Sequence, residues 1–244
     1  MFKFKNPTVV LIFFPLFIFI MTEAYAQAPK TIEIIKTQDF TINGKGTSEN
    51  WQKTDWINLP LRTNSQNSRE LNTNLKILYS EKGIYFLFQC EDRILNSTMK
   101  SDFLKLWKED VVEVFLWPNE NDPTYFEYEL SPLNYELPLL ISNKNGDLTR
   151  WRPYMYESDR KVNHKTSVTG GKKKVGSKIE SWTAEFFVPF KLLRPLKNIT
   201  PSLGTEWRAN FYRVDYDQGE SSYEWMPVNN TFHEIDKFGS IIFK

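Results

Sequence analysis

Val111-Val112-Glu113-Val114-Phe115-Leu116-Trp117, closed by Pro118, is the stretch that decides the fold. Its apolar side chains fall on both faces of an extended backbone, the pattern of a central strand packed above and below. Glu113 is the one charge inside it. Downstream, Tyr125-Phe126-Glu127-Tyr128-Glu129-Leu130 alternates strictly and reads as a half-exposed strand. Upstream, the apolar runs 75–79 and 84–90 are joined by Ser80-Glu81-Lys82-Gly83, which reads as a hairpin. Further strand-like runs cover 136–141, 179–188, 206–214 and 240–243. Helical signal is confined to a turn after Pro189, at 190–193, and another at 101–107. Many short strands between turns of Gly, Pro, Asn and Ser predict an all-β chain, an antiparallel sandwich or barrel with one or two short helical turns. The polar segment 63–74 reads as a surface loop, and the glycine–lysine run 170–174 as a solvated hairpin tip.

The N-terminus reads as a cleavable export signal. Lys3 and Lys5 precede an apolar run over 8–21 broken by Pro15, and Ala24 and Ala26 occupy the −3 and −1 positions of a cut before Gln27. A membrane-spanning helix needs about 20 apolar residues, more than this run offers. Residues 1–26 are therefore expected to be removed, leaving 27–244 as a single exported domain, whether periplasmic, cell-surface or extracellular. Taking Lys3, Lys5 and Glu23 from 31 basic and 30 acidic residues leaves 29 of each. That balance gives no electrostatic reason to expect nucleic acid or an anionic membrane as partner.

Cys90 is the only cysteine, so no internal disulfide can form, and its apolar surroundings predict a buried structural thiol. His164 and His233 are the only imidazoles. No H-E-x-x-H, C-x-x-C, G-x-S-x-G or glycine-rich phosphate loop occurs. Glu127 and Glu129 would stand roughly 7 Å apart on one strand face, a spacing a glycosidase could use, but a solvated face explains them equally well. No enzyme is expected. Tryptophan is the excess: all eight lie beyond residue 26, some in polar, loop-like sequence.

Three elements resemble carbohydrate-binding module family 9, particularly its family-9-like exported members in Bacteroidetes-type bacteria. The first is Phe40-Thr41-Ile42-Asn43-Gly44 through Glu49-Asn50-Trp51. The second and most specific is Trp107-Lys108-Glu109-Asp110-Val111-Val112-Glu113-Val114-Phe115, similar to a W-x-x-D-x-V-E-I-F segment. The third is the run 179–190, with Phe238-Gly239-Ser240-Ile241 closing the pattern. The resemblance implies a jelly-roll β-sandwich related to DOMON-type domains. It also implies a non-catalytic sugar site of two facing tryptophans and a carboxylate, serving polysaccharide binding or catabolism beside partner glycoside hydrolases. Matched residue by residue, the first tryptophan is Trp107, the carboxylate Glu113, and the second tryptophan Trp225, whose flanks follow the pattern loosely. Glu129 stands where the family carries a basic residue. Some members hold structural calcium, for which the loops around Asp110, Asn119, Asn121 and Asp122 offer oxygens.

The side chains suit that role on physical grounds. A sugar ring stacks its C–H face on flat aromatics while carboxylates take its hydroxyls. Trp107 sits among Lys105, Lys108 and Glu109. The rival reading has Trp107 capping the core edge and Glu113 paired with an Arg or Lys. Trp151, between Arg150 and Arg152, is a further platform, or else an Arg–Trp surface stack. Two other functions remain in view. One is haem-linked electron transfer, with Met99, Met155, Met226, His164 and His233 as candidate ligands; the other is a glycoside hydrolase built on Glu127 and Glu129.

Overall fold

A computed structural model describes residues 1, 30–63, 65, 70–144 and 146–244. The expected leader lies, apart from Met1, outside the described residues. Thirteen strands form among them: β1 Thr31–Lys36, β2 Ile57–Asn58, β3 Thr73–Tyr79, β4 Gly83–Glu91, β5 Val111–Trp117, β6 Thr124–Leu130 and β7 Glu136–Lys144, then β8 Asp147–Pro153, β9 Asn163–Thr169, β10 Ser181–Pro189, β11 Glu206–Asp215, β12 Ser221–Glu224 and β13 Gly239–Phe243. One α-helical turn, α1 Phe190–Leu193, follows Pro189, and short 3₁₀ turns occupy Glu49–Lys53, Leu106–Lys108, Ser158–Arg160 and Ile235–Lys237. No helix among the described residues is long and apolar enough to cross a membrane.

The strands form one strongly curled path, β8-β7-β6-β5-β11-β13-β1-β3-β4-β10-β9, with β12 beside β11 and β2 beside β3. The chain is all-β, as the sequence predicts. The expectation of a purely antiparallel sandwich needs amending, because the sheet is mixed. Thr31 to Ile34 of β1 pair in parallel with β13, and Ile35 and Lys36 pair in parallel with β3. β1 therefore changes neighbours halfway along and joins the two halves of the sheet. Parallel neighbours cannot be closed by a tight turn, so nothing in the local sequence announces these pairings.

Local chemistry accounts for the clearer elements. The β3–β4 hairpin closes with Ser80 N–H donating to the Gly83 carbonyl at 2.8 Å. A Cβ at Gly83 would stand 2.3 Å from the Val188 carbonyl oxygen, so only glycine lets β10 pack this closely. Pro118 ends β5, and Trp117 Nε1–H caps the following turn by donating to the Asp122 carbonyl at 2.8 Å.

The main core lies between the inner faces of the two halves. Val112, Val114, Phe126, Tyr128 and Phe211 come from one half, and Phe86, Phe88, Ala184 and Phe186 from the other. Phe186 meets Tyr128 with ring centroids 5.0 Å apart, and Phe86 meets Phe211 at 6.1 Å. Cys90 is fully buried, as expected, and burial pushes its thiol up to about 12.

A second apolar layer covers the outer face of β5, β6, β7 and β11. Phe115, Tyr125, Leu139 and Tyr212 meet Leu106, Val228, Ile235 and Phe238 from the connecting segments. Here a prediction fails: β6 is not half exposed, since every residue from Tyr125 to Leu130 is buried. The face carrying Glu127 and Glu129 is roofed by chain distant in sequence. On the opposite half, Glu185 Oε2 accepts N–H bonds from Asn43 at 2.8 Å and Gly44 at 2.7 Å, and its Oε1 accepts from Trp51 Nε1 at 2.8 Å. The early Ile42-Asn43-Gly44 and Trp51 element and the late 179–190 run are thus tied together through one buried carboxylate. Of the expected loop 63–74, residues 64 and 66–69 lie outside the described residues, while Leu71 is buried and Thr73 and Asn74 belong to β3.

Candidate functional site

The alternation of β5 sends Val112 and Val114 into the main core and Glu113 and Phe115 to the outer face. There Glu113 and Phe115, joined by Glu127 of β6, Leu139 and Ile141 of β7 and Val214 of β11, floor a cavity of about 330 Å³. Trp107, Trp151 of β8, Tyr216 and the loop residues Phe232 and His233 form its walls, and the exposed Glu220 stands at its edge. The volume falls at the small end of ligand clefts, enough for a compact polar molecule.

Trp107 is held by its backbone. Its N–H donates to Glu129 Oε2 at 3.0 Å, and its carbonyl accepts from the Tyr216 hydroxyl at 3.1 Å. Asp110 secures the same corner, accepting the N–H groups of Asn96 at 2.6 Å and Tyr216 at 3.0 Å. That explains an Asp at this place in the motif: a buried carboxylate ties two loops to the start of β5. Trp107 and Trp151 meet edge to face, centroids 5.6 Å apart and planes at 80°, making an aromatic corner rather than a parallel clamp. Trp151 is 41% exposed, leaving ring surface free for a ligand. The loop carrying Phe232 and His233 is ordered by Glu234, which accepts N–H bonds from Asn229, Asn230 and Thr231.

The floor is acidic, and its Glu127 and Glu129 carboxyls share a hydrogen bond with each other rather than with a cation. Glu113 lies opposite Glu129 across the β5–β6 register, and Phe115 opposite Glu127, so three glutamates share one face. Glu113 Oε1, Glu127 Oε2 and Glu129 Oε1 are buried without a hydrogen-bond partner. Burial pushes Glu127 up to about 8 and Glu113 well above the carboxylate range, the latter also raised by the charges of Glu127 and Glu220. Glu129 is held high by burial and by Glu113 and Glu127. His233, whose Nδ1 is 2.5 Å from the Tyr125 hydroxyl, is lowered to about 4 by burial and is neutral at neutral pH. Among the described lining residues there is no Lys or Arg.

The structure brings Trp107, Glu113 and Trp151 to the cavity, with Glu129 directly beneath Trp107. It does not bring Trp225. That ring is 3% exposed in the main core, 5.4 Å from Phe211, on the face of β11 opposite the cavity. Gly239 makes room for it, since a Cβ there would lie 2.3 Å from the indole. The expected slot between Trp107 and Trp225 is therefore corrected: the indole that meets Trp107 is Trp151. Among the described residues Glu113 pairs with no Arg or Lys, and Lys105, 5.9 Å from the Trp151 ring and 6.0 Å from Trp107, provides the cation–π contact sought in Arg150 and Arg152.

Sequence reading missed Tyr216, Glu220 and Phe232 as cavity residues. Phe232, an apolar ring in the polar run Asn229-Asn230-Thr231, was the available signal. Of the haem candidates, His233 lines the cavity and His164 lies on β9 against Asn134, while Met226 is in the main core and Met155 is exposed. The expected calcium loops do not converge. Asp110 and the turn 119–122 flank opposite ends of β5, about 20 Å of extended chain. Acidic oxygens do converge at Asp92, Asp215 and Asp217, where Arg213 supplies the positive charge, 2.6 Å from Asp215 and 3.4 Å from Asp92.

Comparison with known proteins gives a consistent result. The family model described as carbohydrate family 9 binding domain-like matches residues 42–244. No curated protein matches the sequence. Among solved structures, a Bacteroides uniformis ATCC 8492 protein provisionally described as carbohydrate-binding superposes with TM-score 0.71 at 16% identity, covering 89% of this chain and all of that one. A family 9 carbohydrate-binding module from Caldicellulosiruptor kristjanssonii, in complex with cellotriose, gives 0.61 at 17%, covering 88% and 94%. The glucose complex of a family 9 module from that organism gives 0.60 at 18%, covering 88% and 96%. At these identities the likeness is one of fold.

Proposed function

Because this chain belongs to the carbohydrate family 9 binding domain-like family, we propose that it binds carbohydrate without catalysis, in the cavity under Trp107 and Trp151. The observation that carries the reading is the aromatic corner standing over a carboxyl floor. One indole can take the apolar face of a sugar ring while Glu113 and Glu127 meet its hydroxyls. The cellotriose and glucose complexes of fold relatives support a saccharide as the ligand class. We read the two packed halves of the sheet as the family's sandwich. The N-terminal pattern of 1–26 supports export, and a binding role there would hold polysaccharide for partner glycoside hydrolases. Glu127 and Glu129 do not form a glycosidase pair in this reading, because only Glu127 lines the cavity while Glu129 anchors the Trp107 backbone.

Isothermal titration against a glycan panel tests the reading. Micromolar to millimolar affinity for at least one glycan, weakened about tenfold or more by Trp107→Ala, is the expected result. A folded protein that binds no glycan would overturn it.

A further inference from the structure

The charge around the cavity is one-sided, and that asymmetry bears on what fills it. We propose that the saccharide bound here carries a protonated amine, the amino-sugar unit of a de-N-acetylated polysaccharide, with its ammonium group between Glu113 and Glu127. The proposal rests on the glycan reading above and narrows its ligand class.

Several buried carboxylates elsewhere in this protein have donors or a cation beside them. Glu185 accepts three N–H bonds at 2.7–2.8 Å, Asp110 accepts two, and Asp92 and Asp215 share the Arg213 guanidinium. In the cavity floor two lining glutamates, Glu113 at 2% and Glu127 at 4% exposure, each keep a buried oxygen that accepts no hydrogen bond from a donor of the described residues. Leaving such atoms unpaired is costly, and a donor from outside the protein relieves the cost. An ammonium group carries three donors and the opposite charge. Aromatic walls suit the same ligand, since a cation is attracted to indole and phenol faces as well as to carboxylates. A metal ion fits less well: the acidic oxygens close enough to share an ion, among the described residues, are those of Asp92, Asp215 and Asp217, not these glutamates.

The groups facing the floor agree in sign. Glu129 lies across from Glu113, Glu220 stands at the edge, and Tyr212, Tyr216 and Tyr125 are phenols that burial keeps protonated. His233 is neutral, and Lys105, though near both indoles, does not line the cavity. With the floor carboxyls held partly protonated by burial, an entering ammonium ion draws them into the charged form and releases protons to solvent. Affinity for an amine-bearing sugar therefore rises with pH from about 5.5 to about 7, where the floor ionises more readily. Affinity for a neutral sugar does not.

Calorimetric titration of the purified protein with a glucosamine oligomer, its N-acetylated counterpart, a neutral gluco-oligosaccharide of equal length and a simple alkylammonium salt tests this. Running each in two buffers of different ionisation heat counts protons. The expected result is about a tenfold to hundredfold preference for the glucosamine oligomer, proton release on binding, and loss of that preference in Glu127→Gln, whose affinity falls further for the glucosamine oligomer than for the neutral one. Equal or tighter binding of the neutral or N-acetylated oligomer would overturn the amine proposal and leave the glycan reading standing. Alkylammonium binding as tight as the amino sugar's would overturn the proposal by showing a cation site indifferent to sugar. Binding of no saccharide would overturn both.

Discussion

Replacing Glu127 with glutamine should make the protein more stable at pH 8 while leaving it nearly unchanged at pH 4.5. Burial lifts this carboxyl from 4.5 to about 8 in the folded state. A raised carboxyl holds a proton that the unfolded chain releases. Its stabilising contribution is complete below the unfolded value and is lost as pH rises toward the folded one. The gap is roughly three and a half pH units at 1.36 kcal/mol each, so the loss has a ceiling of about 5 kcal/mol. Water entering the cavity reduces this to about 2–4 kcal/mol. Glutamine keeps the shape without the charge, so the variant escapes the loss. Urea unfolding followed by tryptophan fluorescence at several pH values between 4.5 and 8 reads the difference, as does a rise in Tm of about 5–10 °C at pH 8. Wild-type and variant curves that run parallel across this range would refute the claim that the floor carboxyl is uncompensated.

Glu185→Ala should act in the opposite sense, destabilising by about 3–5 kcal/mol because it strands the donors of Asn43, Gly44 and Trp51; chemical denaturation measures it. Trp225→Ala should cost about 3–5 kcal/mol as a core deletion, whereas Trp107→Ala should cost less and act mainly on binding; paired denaturation and titration of the two variants separate the roles. Cys90, buried with its thiol pushed up to about 12, should resist a thiol reagent in the native protein and react on unfolding in denaturant.

What could be read from the sequence was what the local chain dictates. The 80–83 turn between apolar runs specified a hairpin, and the two-sided apolar pattern of 111–117 placed β5 centrally, between β6 and β11. β1, by contrast, owes its place to partners at 240–243 and 78–79, which no local pattern reveals. β8 was missed because all its residues are exposed, leaving no alternation to detect. Glu127 and Glu129 look solvated when only their own strand is considered, and their burial comes from Leu106 and the 228–238 loop folding over them. The motif around Trp107 located one corner of the cavity because its spacing is fixed by Asp110 and Glu113. Trp225 was misplaced because its neighbours Tyr223, Glu224 and Met226 give no sign of which sheet face its ring takes.

The most direct test of the account is to follow the indole N–H resonances of all eight tryptophans by NMR as a saccharide is added. Binding in the proposed cavity shifts the signals of Trp107 and Trp151 and leaves those of the core residues Trp182, Trp207 and Trp225 in place. Saturable binding that moves other tryptophans while Trp107 and Trp151 stay still would contradict it.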